Sequence, residues 1–356
     1  MIIGIRTLYN SENCGSFWQA YALGEQLERM GHTVGFMRRP AAGTSHSPSR
    51  CAAKCAKALL KGGFASASTA FATHRSFSRA VKALHVIPST PERVDAIVLG
   101  SDTIWQLDSD YFLRNFERYW AVDAIHSRAE VVAYAPSIAN SPSELFERSN
   151  VSEALDAMKA IGVRDSYTKE TLQPLTKREI VEVCDPTLLL SADDYLSLSR
   201  RDDQEPYLFA YYFTREVPSD LVDETKKYAE SRGLRVISYF GGPLGFGEPP
   251  CSVDPYEFLR LMAGASVVVT NTFHGTIFSQ IFGKPTVFNS SGKQKVRDMV
   301  EKFGLEQSDY AATGSAAGLF DIPYNRDAVE RSIERMRTRS IKFLTTAFGV
   351  EPEGGR

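Results

Sequence analysis

A single histidine stands where a buried strand passes into a helix in the second half of the chain. The apolar run Val267–Val269 predicts the strand, and His274 follows it after a polar turn. Apolar residues at helical spacing come next, and Gly283 with Pro285 indicates where that helix ends. Ligands of open α/β sheets bind at the carboxyl ends of strands, and a helix start attracts anions. The position predicts acid–base chemistry on an anionic substrate for His274, although a helix-capping or packed histidine fits this stretch equally well.

Charged residues in the first half also follow short runs that predict strands. Ser101 and Asp102 come after Asp95–Leu99, where a hydroxyl and a carboxylate can bind sugar hydroxyls or move a proton. Arg164 follows Ile161–Val163, and a guanidinium there can hold a carboxylate or phosphate through two parallel hydrogen bonds. The alternatives are a helix cap for Asp102 and a surface ion pair between Arg164 and the aspartate that follows it.

Two polar loops complete the set of candidates. Asn13, Gly15 and Ser16 follow the first predicted strand, although Asn13 or Ser16 would equally serve as a helix cap. This loop lacks the G-x-G-x-x-G pattern, so a dinucleotide site is not favoured. Lys293 and Arg297 lie in a basic loop that can supply positive charge to an anionic ligand, with a solvated loop as the plainer interpretation.

These candidates depend on a scaffold in which strands and helices alternate along both halves of the chain. The alternation predicts an α/β fold of two Rossmann-like, doubly wound domains facing a cleft, which is the glycosyltransferase-B-like layout. The predicted boundaries are 1–199 for the first domain, about 40–90 for a basic insertion within it, 206–324 for the second domain and 325–356 for a C-terminal helix and tail. Within the first domain the pattern predicts a helix over Ser152–Ala160.

Composition narrows the class of protein. The 356 residues suit two domains, and a formal net charge of -2 with 24% charged residues is ordinary for a soluble protein. No apolar run approaches the ~20 residues that span a bilayer, and the N-terminus has the pattern of a short strand and not of a secretion leader. Five scattered cysteines favour a reducing compartment over a disulfide framework. We therefore expect a cytoplasmic protein, and no cluster of side chains indicates a metal site.

A long basic segment lies between two of the predicted strands. No acidic residue occurs from Arg29 to Pro91, whereas ten Lys and Arg residues do. Interleaved apolar residues between positions 50 and 82 predict one or two cationic amphipathic helices, which can contact the inner face of an anionic membrane or a lipid-linked acceptor. A solvated basic face packed on the domain explains the same pattern. Nucleic acid is disfavoured, because the whole chain is slightly acidic and carries no recognition motif.

Several short motifs, spread in order over most of the chain, form a set. They are Asn13-Cys14-Gly15 with Gln19–Leu23, Gly100-Ser101-Asp102 with Trp105, Val163–Ser166, Asp185–Thr187, and Thr272–Thr276 followed by Gly283–Pro285. This set resembles the polysaccharide pyruvyl transferase family. That family is similar in fold to glycosyltransferase-B enzymes, and it moves the enolpyruvyl unit of phosphoenolpyruvate onto a sugar and closes it as a ketal. Some members carry an arginine where this chain has Thr272, so either other cations hold the donor or the donor differs.

The resemblance implies that His274 is the acid or base and that Arg164 binds phosphoenolpyruvate, whereas the chemistry that such a site needs assigns the other candidates, and no cofactor is expected. Phosphoenolpyruvate is nearly trianionic, so its site needs two or three cations or helix starts. The expected donor-binding residues are Arg164, Thr272, Gly275, Thr276, Lys293 and Arg297, and the expected acceptor-binding residues are Asn13, Gly15, Ser101 and Trp105. Catalysis falls to His274 as acid or base, with Asp102 orienting or deprotonating the sugar hydroxyl. The imidazole of His274 and the guanidinium of Arg164 are expected to converge on the donor.

Two other functions fit the same scaffold. A nucleotide-sugar-dependent glycosyltransferase of this fold would release nucleoside diphosphate and ignore phosphoenolpyruvate. A non-catalytic glycan-binding protein would bind sugar and consume neither donor. For the transferase itself, the acceptor is either a sugar of a cell-surface polysaccharide or its lipid-linked precursor.

Overall fold

The chain forms two α/β units. The computed structural model describes residues 1–39, 48–198, 205–212, 217–239 and 254–349. Unit 1 comprises Met1–Leu60, Phe77–Leu190 and Met336–Arg356, and unit 2 comprises Lys61–Ser76 and Ser191–Arg335. The start of the predicted insertion, residues 40–47, and residues 199–204 of the predicted domain boundary lie outside the described residues.

Unit 1 is built on a seven-stranded parallel sheet. Its strands are β1 (Ile2–Arg6), β2 (Thr33–Met37), β3 (Val86–Ile87), β4 (Ala96–Leu99), β5 (Glu130–Tyr134), β6 (Ala160–Val163) and β7 (Ile180–Glu182). Their order across the sheet is β3-β2-β1-β4-β5-β6-β7. Every residue of β4 is buried, as expected for a central strand that is covered on both faces. Because the strands are parallel, all their carboxyl ends lie at one edge of the sheet.

The helices of the first half connect these strands. They are α1 (Cys14–Arg29), α2 (Pro48–Lys82), α3 (Asp110–Arg114), α4 (Phe116–Tyr119), α5 (Ser149–Ala157) and α6 (Ser166–Leu172). The basic segment contains one continuous helix, α2, where the sequence allowed one or two. The prediction of a helix over Ser152–Ala160 was wrong at its ends, because α5 starts earlier and Ala160 already pairs with β5.

Unit 2 contains a smaller parallel sheet. Its strands are β8 (Tyr207–Tyr211), β9 (Arg235–Tyr239), β10 (Val267–Thr270) and β11 (Thr286–Phe288), in the order β11-β10-β8-β9. The helices of the second half are α7 (Ala192–Ser197), α8 (Ser219–Ser231), α9 (Pro255–Gly264), α10 (Phe273–Ile281), α11 (Gln294–Phe303), α12 (Tyr310–Thr313) and α13 (Arg326–Phe348). The two parallel sheets confirm the predicted α/β class. No helix among the described residues is both long and apolar enough to cross a membrane.

The last helix begins in unit 2 and ends in unit 1. In its unit 1 part, the Arg337 guanidinium donates hydrogen bonds to the carbonyl oxygens of Leu188 (2.8 Å) and Leu190 (3.0 Å). One turn later the Oγ of Ser340 accepts a hydrogen bond of 2.8 Å from the backbone N–H of Cys184. Residues 336–349 therefore complete the packing of unit 1 at the point where the chain leaves it.

Candidate active site

The predicted site residues of unit 1 meet at the carboxyl edge of its sheet. Asn13 is the N-cap of α1, and its Oδ1 accepts hydrogen bonds from the backbone N–H groups of Gly15 (2.9 Å) and Ser16 (3.3 Å). The hydroxyl of Ser16 in turn donates a hydrogen bond of 2.7 Å to Oδ2 of Asp102. The cap thus fixes the helix start from which Ser16 reaches the carboxylate that follows β4.

Asp102 has a strained backbone. Its φ is 80°, a left-handed conformation that non-glycine residues rarely adopt outside sites where the surrounding structure imposes it. The carbonyl oxygen of Asp102 accepts a hydrogen bond of 3.0 Å from the N–H of Ser137, in the loop after β5, and Oδ1 accepts one of 2.8 Å from the N–H of Thr103. These bonds hold the half-buried carboxylate in one orientation at the sheet edge.

A buried network joins the ends of three strands. Oδ2 of Asp185, after β7, accepts hydrogen bonds of 3.2 Å from Ser101 and of 3.2 Å from Nη1 of Arg164. Oδ1 of Asp185 accepts bonds from the N–H (3.1 Å) and the hydroxyl (2.7 Å) of Thr187. The Arg164 and Asp185 side chains are 2% and 0% exposed. Asp185 therefore positions Arg164 and Ser101 together.

The alternative of a surface pair between Arg164 and Asp165 does not describe this geometry. Arg164 pairs with Asp185 inside the protein, whereas Asp165 caps α6 through a hydrogen bond of 2.8 Å from the N–H of Thr168. Asp185 was not among the predicted site residues. Its sequence signal is an aspartate three residues after a strand with a threonine two residues on, a pattern typical of a local turn.

Trp105 lies in the core of unit 1. The residue is fully buried, its indole N–H donates a hydrogen bond of 2.8 Å to the carbonyl of Tyr119, and its ring stacks on Trp120 at 4.4 Å. Its backbone N–H also donates to the carbonyl of Ser137. Trp105 thus fixes the loop that carries Ser101 and Asp102.

In unit 2, the predicted site residues cluster at the start of α10. Thr272 is the N-cap, and its Oγ1 accepts a hydrogen bond of 2.9 Å from the N–H of Gly275. Its carbonyl oxygen accepts bonds from the N–H (2.9 Å) and hydroxyl (3.0 Å) of Thr276. The amide groups of Gly275 and Thr276 therefore shape the first turn of the helix. His274 is the second residue of this turn and is 8% exposed, with its ring edge-to-face against Phe273.

Gly275 is packed so closely that no side chain fits. A Cβ at this position would lie 2.3 Å from Oγ1 of Thr270, 2.4 Å from Oγ1 of Thr272 and 2.7 Å from Cδ1 of Tyr211. Two of these atoms make the hydrogen bonds that hold the strand end and the cap. The absence of a side chain at residue 275 is therefore what allows the first turn of α10 to sit against the ends of β8 and β10.

We expect Gly275→Ala to destabilise the protein by about 1 to 3 kcal/mol, because the added methyl group overpacks the helix start. Urea unfolding monitored by circular dichroism measures this change. Gly24→Ala is a suitable control, since its nearest contact would be the Cζ of Phe36 at 3.1 Å and α1 gains an alanine. Equal midpoints for the two variants would contradict the packing described at Gly275.

The basic loop of unit 2 lies beside this helix start. Nζ of Lys293 donates a hydrogen bond of 2.8 Å to the carbonyl of Asn271, the residue before the N-cap. Nζ of Lys295 lies 5.9 Å from the centre of the Phe273 ring. Burial, with a smaller contribution from Lys295, lowers the pKa of Lys293 to about 8. Arg297 is exposed on α11. Of the two predicted cations, Lys293 is therefore the one held against the start of α10.

The structure thus groups the candidates by unit. Unit 1 brings together Asn13, Gly15, Ser101, Asp102 and Arg164 at one sheet edge, with Trp105 beneath them. Unit 2 brings together Thr272, His274, Gly275, Thr276 and Lys293 at one helix start. Each group contains a hydroxyl, a cation and a group able to move a proton. Among the described residues, no three His, Cys, Asp or Glu side chains are placed to hold a metal ion.

Comparison with known proteins gives a family for most of the chain. Residues 13–290 match the model of a family described as polysaccharide pyruvyl transferase. This range includes every candidate residue except Lys293 and Arg297. No curated protein sequence matches the chain.

Solved structures show the fold. A Listeria monocytogenes protein assigned as a UDP-N-acetylglucosamine 2-epimerase superposes with a TM-score of 0.54 at 10% identity, covering 98% of this chain and 96% of that one. The Methanocaldococcus jannaschii UDP-GlcNAc 2-epimerase gives 0.45 at 12% identity, with 95% and 93% covered. The Streptomyces nogalater glycosyltransferase SnogD gives 0.44 at 15% identity, with 98% of each chain covered. At such low identity the first likeness establishes a glycosyltransferase-B-like fold and nothing about substrates.

Proposed function

The chain belongs to the polysaccharide pyruvyl transferase family, and from that premise we propose that it transfers pyruvate from phosphoenolpyruvate to a sugar as a ketal. The acceptor is a sugar of a cell-surface polysaccharide or its lipid-linked precursor. The observation that supports this proposal most is the start of α10, where His274 stands in the first turn and Lys293 is bound to the residue before the cap.

The start of α10 suits the phosphate or carboxylate of the donor. The amide dipoles of a helix give its first turn a partial positive charge, and the ammonium group of Lys293 adds a full one below about pH 8. Lys293 thereby takes the place of the arginine that some family members carry at the position of Thr272. Arg297, being exposed, is the weaker candidate for this role.

His274 is proposed as the acid of the first step. It transfers a proton to the methylene carbon of phosphoenolpyruvate, which makes C2 electrophilic. A sugar hydroxyl then forms a bond to C2, phosphate leaves with the electron pair of the C–O bond, and a second hydroxyl of the same sugar closes the ketal. Imidazole is the side chain whose ordinary pKa lies closest to neutrality, so it can both give and regain this proton.

The unit 1 network supplies the groups proposed for the acceptor and for a further donor contact. Asp102, held by Ser16 and by its own strained backbone, receives the proton of the attacking hydroxyl. Arg164, oriented by Asp185, is proposed as a phosphoenolpyruvate ligand. Ser101 and the Asn13–Gly15 helix start contribute to the acceptor side. Trp105 acts on acceptor binding indirectly, because it holds the loop that carries Ser101 and Asp102.

Release of phosphate tests the proposal. The protein is incubated with phosphoenolpyruvate and a panel of sugar acceptors, and free phosphate is measured together with the mass of the sugar product. Acceptor-dependent phosphate release and a product heavier by one pyruvyl ketal are expected. Release of nucleoside diphosphate from a nucleotide sugar, without use of phosphoenolpyruvate, would instead identify a glycosyltransferase. Sugar binding with turnover of neither donor would identify a glycan-binding protein.

The titration of Lys293 gives a pH dependence. The lysine is charged below its pKa of about 8 and neutral above it, so attraction for the anionic donor is lost as pH rises through this value. We expect the KM for phosphoenolpyruvate to increase about tenfold between about pH 7 and about pH 10, since a hydrogen bond from a charged group is worth roughly 1.5 to 3 kcal/mol. Steady-state kinetics across this range measure the change.

The variant Lys293→Met serves as the control for this prediction. It should show a raised KM at neutral pH and little further change as pH increases. Arg297→Met removes a neighbouring exposed cation, and its KM should increase with pH as much as that of the parent protein. If the KM of Lys293→Met for phosphoenolpyruvate increased with pH as much as that of the parent protein, another group would be the cause of the increase.

A further inference from the structure

The exposed face of α2 combines large apolar side chains with cations. Leu60 is 88% exposed and Phe71 is 55% exposed, which makes them the two most exposed large apolar residues of the described chain. Soluble proteins expose single apolar residues often, but two on one helix next to a series of cations indicate a binding surface.

These two residues lie on the same side of the helix. They are 11 positions apart, close to three turns at about 3.6 residues per turn. At about 3.6 residues per turn, other exposed residues of α2 lie within about one sixth of a turn of Leu60 and Phe71 around the helix axis. We call this set the α2 stripe: Ala53, Lys57, Leu60, Phe71, Arg75 and Lys82, all of them exposed.

The opposite side of the helix is packed into the protein. Cys51, Thr73, Phe77 and Ala80 are buried there. The helix therefore presents one side to the protein and keeps the α2 stripe outside. At about 1.5 Å per residue, the stripe is roughly 45 Å long, and it extends over most of the 35 residues of α2.

The charge of this region differs sharply from that of the rest of the chain. Ten of the 41 Lys and Arg residues lie from Arg29 to Pro91, and none of the 43 Asp and Glu residues does. The remaining sequence therefore carries 31 Lys and Arg residues against 43 Asp and Glu residues. A partner bound by charge complementarity to the α2 stripe must be anionic. Because the rest of the protein has a net negative charge, it would repel the same partner.

We infer that the α2 stripe lies on an anionic lipid bilayer. Leu60 and Phe71 would enter the interface between headgroups and acyl chains, while Lys57, Arg75 and Lys82 bind the headgroup phosphates. A nucleic acid or an anionic glycan explains the cations but offers no apolar environment for Leu60. The bilayer accounts for both features with one partner. This inference concerns a surface outside the candidate active site and does not depend on the proposed function.

Vesicle sedimentation tests the inference with the full chain. We expect binding to vesicles of phosphatidylcholine with about 30% phosphatidylglycerol, and at least about tenfold weaker binding to pure phosphatidylcholine. Binding should weaken when the salt concentration is raised from about 0.1 M to about 1 M, because screening shortens the range of the attraction. Equal binding to both kinds of vesicle, or to neither, would overturn the inference.

Two double variants separate the apolar and the charged contributions. Leu60→Glu with Phe71→Glu removes the inserted side chains, and Lys57→Glu with Arg75→Glu reverses two charges. Each should reduce binding to the anionic vesicles at least about tenfold. Unchanged binding in both double variants would overturn the inference.

Matched controls place the same changes elsewhere on the surface. Leu113→Glu with Ile125→Glu replaces two other exposed apolar residues, at 40% and 37% exposure. Arg331→Glu with Arg335→Glu reverses two exposed charges on α13. Both controls should bind vesicles like the parent protein. If the α2 variants alter the mass in light scattering and leave vesicle binding intact, the stripe is a contact between copies of the chain and the inference fails.

Discussion

Replacing His274 with alanine is expected to reduce turnover of phosphoenolpyruvate by about 100- to 10,000-fold, the range typical of losing a general acid. The imidazole lies in the first turn of α10, next to the cap formed by Thr272 and the bound Lys293. Lys293, the other titratable group at this helix start, is assigned to binding the donor, so His274 carries the proposed protonation at carbon. Measurement of kcat by phosphate release detects the loss, and KM should change less than kcat.

The fold should survive this change. The cap of α10 is made by Thr272 and Gly275, so we expect the helix start to form without the imidazole. His274→Gln keeps most of the side-chain volume and should lose turnover to the same degree. His126→Ala, at an exposed position, is the control for a histidine without a role. Near-normal kcat in both His274 variants would remove this residue from the mechanism.

Replacing Asp185 with alanine is expected to lower the free energy of unfolding by about 3 to 5 kcal/mol, the usual effect of breaking a buried ion pair. The Asp185 carboxylate accepts hydrogen bonds from Arg164, Ser101 and Thr187, and it is fully buried. Without it, the buried guanidinium of Arg164 loses this counter-charge. Urea or thermal unfolding measures the change, and transfer activity should fall together with the loss of orientation at Arg164.

Two comparisons sharpen this prediction. The double variant Asp185→Leu with Arg164→Met removes both charges and should be more stable than Asp185→Ala alone, because the charge left without its partner causes the main cost. Glu130→Ala breaks the pair with Lys159, in which both side chains are 41% exposed, and should cost no more than about 1 kcal/mol. If Asp185→Ala lowered the free energy of unfolding as little as Glu130→Ala, the hydrogen bonds of Asp185 could not be what fixes Arg164.

The sequence predicted the scaffold well, because apolar runs and helix signals are local. Asp95–Leu99, for example, contains the strand β4, and Val267–Val269 forms the core of β10. The predicted start of α10 was less accurate. The apolar spacing that predicts this helix follows His274, whereas the Thr272 cap starts the helix at Phe273 and so includes His274.

The interior of the candidate site depends on contacts that the sequence does not display. Asp185 meets Ser101 and Arg164 only because three parallel strands end at one edge, and these residues are 84 and 21 positions away from it. Trp105 follows Asp102 closely in sequence, yet its partners Tyr119 and Trp120 place it in the core. Lys293 likewise is held at the start of α10 by its bond to Asn271, 22 positions earlier. The roles assigned to these residues remain predictions.

The return of α13 to unit 1 has a consequence for biosynthesis. The chain leaves unit 1 at Leu190 and re-enters it at Met336, where the next residue, Arg337, binds the carbonyls at the point of exit. Unit 1 thus contains residues from both sides of Ser191–Arg335, and its last part is synthesised only after that whole stretch of unit 2. The earlier part of unit 1 therefore cannot complete its packing during synthesis until α13 has emerged from the ribosome. A premature stop codon near position 330 would for this reason leave unit 1 incompletely packed, in addition to removing the residues that follow.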